Sequence, residues 1–272
     1  MSKTQEDAIR IEDNGDHLVV VSDNPKQKNA LTLDYHALLL GAMRLASEED
    51  RIASVILAGR SGYFSAGGDL TLLASTLDPS ARAKRESIIQ ELQDCVSAIR
   101  NCPKPVIAAV AGGAAGGGFS IAMACDLVVA EAGAKFIPAY AKIGAVPDGG
   151  LSHSLGQHLP HQLACEICLF GAPVAAETLH QHGMINRLVE EGQAEAEAST
   201  MATKLARGPV PTHAKIKALL TSAKTKTLAD QLDAERDTLI QILESPSAKE
   251  GIGAFLDKRR PDFAKAEGRS SR

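Results

Sequence analysis

The sequence predicts an α/β fold: repeated strand–strand–helix turns, followed by a C-terminal layer of helices. Three observations carry this reading. Two apolar runs, ASVILAG at residues 53–59 and PVIAAVAG at residues 105–112, each lead into a glycine-rich turn and then into a helical pattern. Continuous apolar runs of this length fit strands covered on both faces, as in a parallel sheet. From Glu191 onward the apolar spacing is helical throughout, and no low-complexity linker divides the chain.

The elements follow in order. Ala8 to Glu12 and His17 to Ser22 read as strands around an Asn14-Gly15 turn signal. Thr32 is placed to cap a helix running to about Ala46, with Leu33, Leu38, Leu39, Met43 and Leu45 as its apolar positions. A strand from Ala53 to Ala58 enters the loop GRSGYFSAGGDL. A second helix covers Ala81 to Arg100, closed by Pro103 and Pro105. Val106 to Val110 is the next strand, leading through AGGAAGGGF into an apolar helix that ends near Ala124. DLVVAEAGAKF reads as two short strands, helix resumes near Gly149, and a short strand is expected near Asn186 to Glu190. Four helices then follow: one ending near Arg207, one from Pro211, one from Thr227 to Leu243, and one from Pro246 to Lys258. The expected organisation is a core over residues 1–190 and a helical region over 191–272.

Composition narrows the function classes. Apolar residues are 44% and charged residues 23%, which fits a globular chain. Aromatics are only 3% and Trp is absent, so the core must come from Ala, Val, Ile and Leu, and a base-stacking platform for nucleic acid is not expected. A net charge of −4 and a pI near 6.1 give no positive field for phosphate backbones, so no nucleic-acid partner is expected. The sequence has no apolar run of membrane-spanning length, and its polar, acidic start lacks a secretory h-region. The five cysteines (Cys95, Cys102, Cys125, Cys165, Cys168) sit mostly in apolar stretches, and the Cys165/Cys168 pair reads as part of a helix with no second pair to complete a metal site. The expectation is a reduced, cytoplasmic protein without metal or membrane attachment.

The two glycine turns hold the chemistry. Each opens a helix, where unsatisfied N–H groups and a partial positive charge favour negative charge. A nucleotide-phosphate loop is disfavoured, because GGAAGGGF lacks the Lys-Ser/Thr such a loop requires. The strings NPKQKNAL, FSAGGDL, KPVIAAVAGGAAGGGFSIAMACDLVVA, GAVPDGG and FLDKRRPDF occur in the order typical of the crotonase (enoyl-CoA hydratase/isomerase) superfamily, which the chain resembles over nearly its whole length.

The resemblance implies a crotonase-like spiral of ββα turns with a C-terminal helical trimerisation layer, and no dinucleotide crevice. It implies an acyl-CoA thioester substrate, with coenzyme A entering as part of that substrate and no separate cofactor. The backbone N–H groups of Gly68 and Gly117 would form an oxyanion hole for the thioester enolate, a task that suits glycine because the backbone must approach closely. Lys26, Ala66, Leu70 and Tyr140 are expected along the CoA and substrate path, and Phe255 and Lys258 look like the pair that reaches CoA from a neighbouring subunit. A homotrimer or dimer of trimers is implied, and the apolar positions between Ile216 and Leu243 need such a partner.

The sequence departs from a two-glutamate hydratase. Ser120 stands where the first glutamate is usual and Tyr140 where the second is, and neither is a ready base near neutral pH. Asp148, in VPDGG, remains nearby, which favours a double-bond isomerase with Asp148 as the one acid/base. Other readings stay open: Asp148 as cap of the helix near Gly149, a hydratase or hydrolytic member with atypical groups, or a non-catalytic acyl-CoA binder. A dehalogenase-like branch is disfavoured, since Gln93 replaces the His it would need and the chain lacks Trp. His153 and His158 read as surface residues, and Asp69 as a brace for its own loop.

Overall fold

The structure is a computed structural model that describes residues 8–269. Strands β1 (Ile9–Asp13) and β2 (His17–Ser22) form an antiparallel hairpin. Helix α1 (Leu33–Glu48) follows, its first turn capped by Thr32, whose side chain accepts from the Tyr35 N–H. Then come β3 (Ser54–Gly59), α2 (Leu70–Ala74), α3 (Arg82–Asn101), β4 (Val106–Val110), β5 (Gly113–Ala115), α4 (Gly117–Ala124), β6 (Leu127–Glu131) and β7 (Lys135–Ile137). Beyond them lie α5 (Leu151–His158), α6 (His161–Phe170), β8 (Val174–Ala175), α7 (Ala176–Gln181) and β9 (Arg187–Val189). The chain closes with α8 (Ala194–Ala206), α9 (Val210–Ala223), α10 (Leu228–Leu243), α11 (Pro246–Leu256) and α12 (Phe263–Ala266).

The large sheet runs β1-β2-β3-β4-β6-β9 and is parallel after the first hairpin. Its strand order never reverses. A doubly wound sheet reverses direction and opens a ligand crevice at the switch point; this sheet has no such point. A second sheet has the order β5-β7-β8, and isolated bridges from Ser65 to Ala114 and from Leu31 to Gly68 continue it toward the start of the chain. Successive turns of the chain therefore add a strand to the large sheet and an extended segment to the small one. This is a spiral.

Alternation along the strands divides the core. Leu18, Val20, Val55, Leu57, Val106 and Ala108 face α1 and α3, meeting Leu39, Met43 and Ile99. Val19, Val21, Ile56, Ile107 and Val129 face the other way, onto Ala194, Ala198 and Ala202 of α8. Alanines four residues apart lie on one helix face, so α8 can approach the sheet closely. The first helix of the region after residue 191 thus serves as the second wall of the sheet. The helices after it lie further out and leave apolar side chains bare: Leu220 is 66% exposed, Leu228 75% and Leu232 55%. Lys217 ties α9 to the core, with its Nζ 2.6 Å from the Asp126 carboxylate and donating to the Ile99 carbonyl at 2.9 Å.

Several local features differ from the sequence reading. Helices α2 and α12 and strands β5 and β8 are additional elements, and α5 begins at Leu151, later than the expected start near Gly149. Gly149 and Gly150 both have positive φ, 54° and 74°, which no helix tolerates in succession. All five cysteines are free thiols. Among the described residues no helix is long and apolar enough to cross a membrane.

Candidate active site

The glycine turns are held against each other by backbone bonds. Leu31 N–H donates to the Gly67 carbonyl at 2.8 Å, Ala115 N–H to the Ser65 carbonyl at 2.8 Å, and Gly116 N–H to the Ile137 carbonyl at 2.9 Å. Two positions require glycine. Gly67 has φ 91°, and a Cβ there would lie 2.6 Å from the Ala115 carbonyl oxygen. Gly116, with φ 49° and ψ −124°, holds a conformation that side chains oppose. Gly68 is exposed at the rim, while Gly117 is the buried first residue of α4. The amide nitrogen of Gly68 is 3.8 Å from the point a Cβ on Gly117 would occupy, so the structure brings these two residues together. Among the described residues, neither N–H has a protein acceptor. Both can therefore accommodate a developing anion, aided by the partial positive charge at the start of α4.

One turn along α4 stands Ser120, only 1% exposed. Its hydroxyl donates to the backbone carbonyl of Asp148 at 2.9 Å and lies 3.2 Å from the Tyr140 hydroxyl. Tyr140, in a 3-10 turn over Ala139–Ile143, donates to Asp148 Oδ1 at 2.5 Å. Asp148 does not cap α5 with its side chain: the cap residue is Gly150, and the Leu151 N–H takes the backbone carbonyl of Asp148 at 3.1 Å. The Asp148 side chain is therefore not the cap of that helix. Burial pushes the Asp148 carboxyl above its ordinary range, while the Tyr140 hydrogen bond pulls it down. Tyr140 is driven far above an ordinary phenol, first by burial and then by the Asp148 charge, so it keeps its proton.

Leu92 was not foreseen. A Cβ on Gly117 would come within 3.3 Å of its Cδ2, and a Cβ on Gly149 within 3.2 Å of the same atom. One leucine of α3 thus touches both the second glycine turn and the turn that carries Asp148. Its only sequence signal is its place on the apolar face of that helix.

The other expected residues are spread around this centre. Ala66 and Leu70 flank the first glycine turn and are exposed, as is Lys26 in the 3-10 turn over Pro25–Gln27. Asp69 braces its own loop, its side chain accepting from Thr71 N–H at 2.8 Å and capping α2. Phe255, 82% exposed, and Lys258 lie in and just after α11, which packs chiefly against α10 and α12. The packing of a single chain does not carry them to the glycine turns. A cavity of about 610 Å³ sits at the opposite end of α4, among Arg100, Met123, His153, Ile216 and Lys217. His153 and His158 are exposed.

Residues 14–266 match the family described as enoyl-CoA hydratase/isomerase. The chain belongs to that family. Its similarity to family members is spread over nearly the full length on both sides. A 1,2-epoxyphenylacetyl-CoA isomerase of Escherichia coli is 34% identical over 248 residues, covering 90% of this chain and 94% of its own. An enoyl-CoA hydratase of Mycobacterium tuberculosis is 32% identical over 256 residues, covering 93% and 95%. Among solved structures, an enoyl-CoA hydratase from a Polaromonas species superposes with a TM-score of 0.88 at 39% identity, covering 93% of this chain and 98% of that one. The spiral described above is the crotonase fold, and relatives on this fold are named for both isomerisation and hydration.

Proposed function

We propose that this family member is an enoyl-CoA double-bond isomerase with Asp148 as its single acid/base. The observation that carries the reading is the carboxylate inventory. Asp148 is tied through Ser120 and Tyr140 to the helix that the second glycine turn opens, Asp69 is occupied in capping α2, and the two positions of the usual glutamates hold Ser120 and Tyr140. Adding water to a double bond calls for one group to activate the water and another to deliver a proton. Moving a double bond calls for one group that takes a proton and gives it back.

In the proposed reaction, the Asp148 carboxylate removes a proton from one carbon flanking the double bond. The C–H electron pair moves into the conjugated system and onto the thioester oxygen, giving a dienolate. The N–H groups of Gly68 and Gly117 hold that oxygen, each worth about 3–4 kcal/mol by analogy with measured oxyanion holes. Protonated Asp148 then returns the proton to the other terminal carbon of the dienolate, and no atom is gained or lost. Lys26, Ala66 and Leu70 grip the coenzyme A portion. Phe255 and Lys258 complete the grip from a neighbouring copy in a homotrimer or dimer of trimers, an arrangement supported by the bare apolar side chains of α9 and α10.

The deciding measurement is deuterium uptake into a β,γ-enoyl-CoA incubated with the protein in heavy water. The proposal expects exchange and a shifted double bond without a hydroxyacyl product. Hydration of an α,β-enoyl-CoA offered in parallel, with no shift of the β,γ bond, would favour a hydratase with atypical groups; binding with neither exchange nor a shifted bond would favour a non-catalytic acyl-CoA binder.

A further inference from the structure

We propose that Tyr140 and Ser120 are positioning residues for Asp148, clamping its side chain and its backbone so that one carboxylate oxygen, Oδ2, carries the proton. This rests on the reading of Asp148 as the acid/base. It reverses the expectation that Tyr140 lies on the substrate path.

Proton counting supports the assignment. A phenol has one proton, and that of Tyr140 is directed to Asp148 Oδ1 at 2.5 Å, a charge-assisted distance. It is not available to donate to a substrate at the same time. Ser120 also has one proton. Its shortest contact is the Asp148 carbonyl at 2.9 Å, ahead of the Gly116 carbonyl at 3.3 Å. Ser120 is 1% exposed and Tyr140 9%, so the packing around them holds both hydroxyls in place. The two positions vacated by glutamates have thus become the support of the carboxylate that remains. The support is needed because the turn around Asp148 is irregular, with Gly144, Gly149 and Gly150 at φ 70°, 54° and 74° and no helix or strand to fix its side chains. A single fixed oxygen takes the proton and returns it on one face of the acyl chain.

The clamp also favours the ionised carboxylate against the effect of burial. Burial opposes charge on Asp148, and the Tyr140 donor offsets it. The packed elements bring few other titratable groups. Helix α4 has none, and α3 presents Leu92 to Gly149, with Glu91 turned to His36. Lys142 of the neighbouring 3-10 turn and His153 of α5 are exposed. Removing the Tyr140 donor therefore leaves the Asp148 carboxyl its own backbone N–H against the effect of burial.

The test measures kcat/KM for 3-hexenoyl-CoA isomerisation from about pH 4 to pH 9 in the full chain, for the parent, Tyr140→Phe, Ser120→Ala and Asp148→Asn. Tyr140→Phe should move the acid limb up by about one pH unit. It should also lower the plateau about tenfold through kcat, with KM nearly unchanged. Ser120→Ala should lower the plateau in the same way but by less. Uniform replacement of tyrosine by 3-fluorotyrosine, a more acidic phenol and a stronger donor, should move the acid limb down, and it keeps the test informative if Tyr140→Phe folds poorly. An unmoved acid limb, or a loss confined to KM, would overturn the positioning role and return Tyr140 to the substrate path. The two proposals separate on Asp148→Asn. Unchanged turnover there removes the acid/base reading itself; lost turnover with an unmoved Tyr140→Phe limb removes the clamp alone.

Discussion

Replacing Gly117 by valine probes the space in which the thioester oxygen is proposed to sit. A Cβ at this position would lie 3.1 Å from Leu31 Cδ1 and 3.3 Å from Leu92 Cδ2, both ends of flexible side chains. The two further methyls must push those leucines or the first turn of α4 aside, an overpacking cost of about 1–3 kcal/mol. A domain of ordinary stability survives that. Chemistry should not survive it as well. The same Cβ stands 3.8 Å from the Gly68 nitrogen, and a shift of about 1 Å forfeits most of a charge-stabilising hydrogen bond. Loss of one donor predicts a fall in kcat of about 10²–10³. The assay pairs kcat for 3-hexenoyl-CoA isomerisation with urea unfolding, using Gly41→Ala as the control, because Gly41 on α1 has nothing within 4 Å of an added Cβ. A folded Gly117→Val protein with kcat within about threefold of the parent would refute the oxyanion assignment.

Asp148→Asn keeps a side chain of the same shape but no base, so isomerisation should fall by about 10²–10⁴ while coenzyme A affinity changes little, as a binding titration would show. The same substitution should stabilise the fold at neutral pH. Asp148 titrates above its ordinary 3.8 when folded, so its contribution to stability is intact below that value and is lost as pH rises through the raised one. Urea unfolding should accordingly show Asn ahead of Asp at pH 7, with the gap closing near pH 3.8; an equal gap at both would contradict the burial of Asp148. Lys217→Met keeps the length of the side chain but takes the cation from the Asp126 carboxylate, which retains the Val106 N–H, and the donor from the carbonyls of Ile99 and Lys104. Its cost should be about 3–5 kcal/mol in chemical denaturation, and a loss below about 1 kcal/mol would mean that the pair is dispensable.

The fold was legible where local chemistry and tertiary packing agree. The runs over β3 and β4 are buried at every residue, so their unbroken apolar character marked them, and Thr32 marked the start of α1 through a hydrogen bond it does make. Short elements escaped, β5, β8, α2 and α12 among them. Strand β8 has two residues and exists because Phe136 and Lys135 of β7 pair with it. Helix α2 has five residues and depends on its Asp69 cap, too little chain for any periodicity. The glycine turns were legible because backbone geometry at Gly67 and Gly116 restricts the residue type. The pairing of Tyr140 with Asp148 was not: eight residues of irregular chain separate them, and side-chain direction there follows no repeat. The surroundings of Phe255 and Lys258 were beyond reach for another reason, since the helices that bear them pack mainly on each other.

The strand order bears on how the chain can assemble. Strands β1 and β2 meet through a local turn; β3, β4 and β6 are then each laid beside the parallel strand before them. A chain emerging from the ribosome can extend this sheet one strand at a time, with no later segment needing to be threaded between strands already paired. The growing edge stays open for a long stretch, because β6 waits for β9 while β7, α5, α6, β8 and α7 are made. An unpaired parallel edge is a template for stray pairing, so this interval is the vulnerable stage of synthesis. The second face is bare for longer still, since α8 follows β9, and the alanines that let α8 lie close are the last surface the sheet receives.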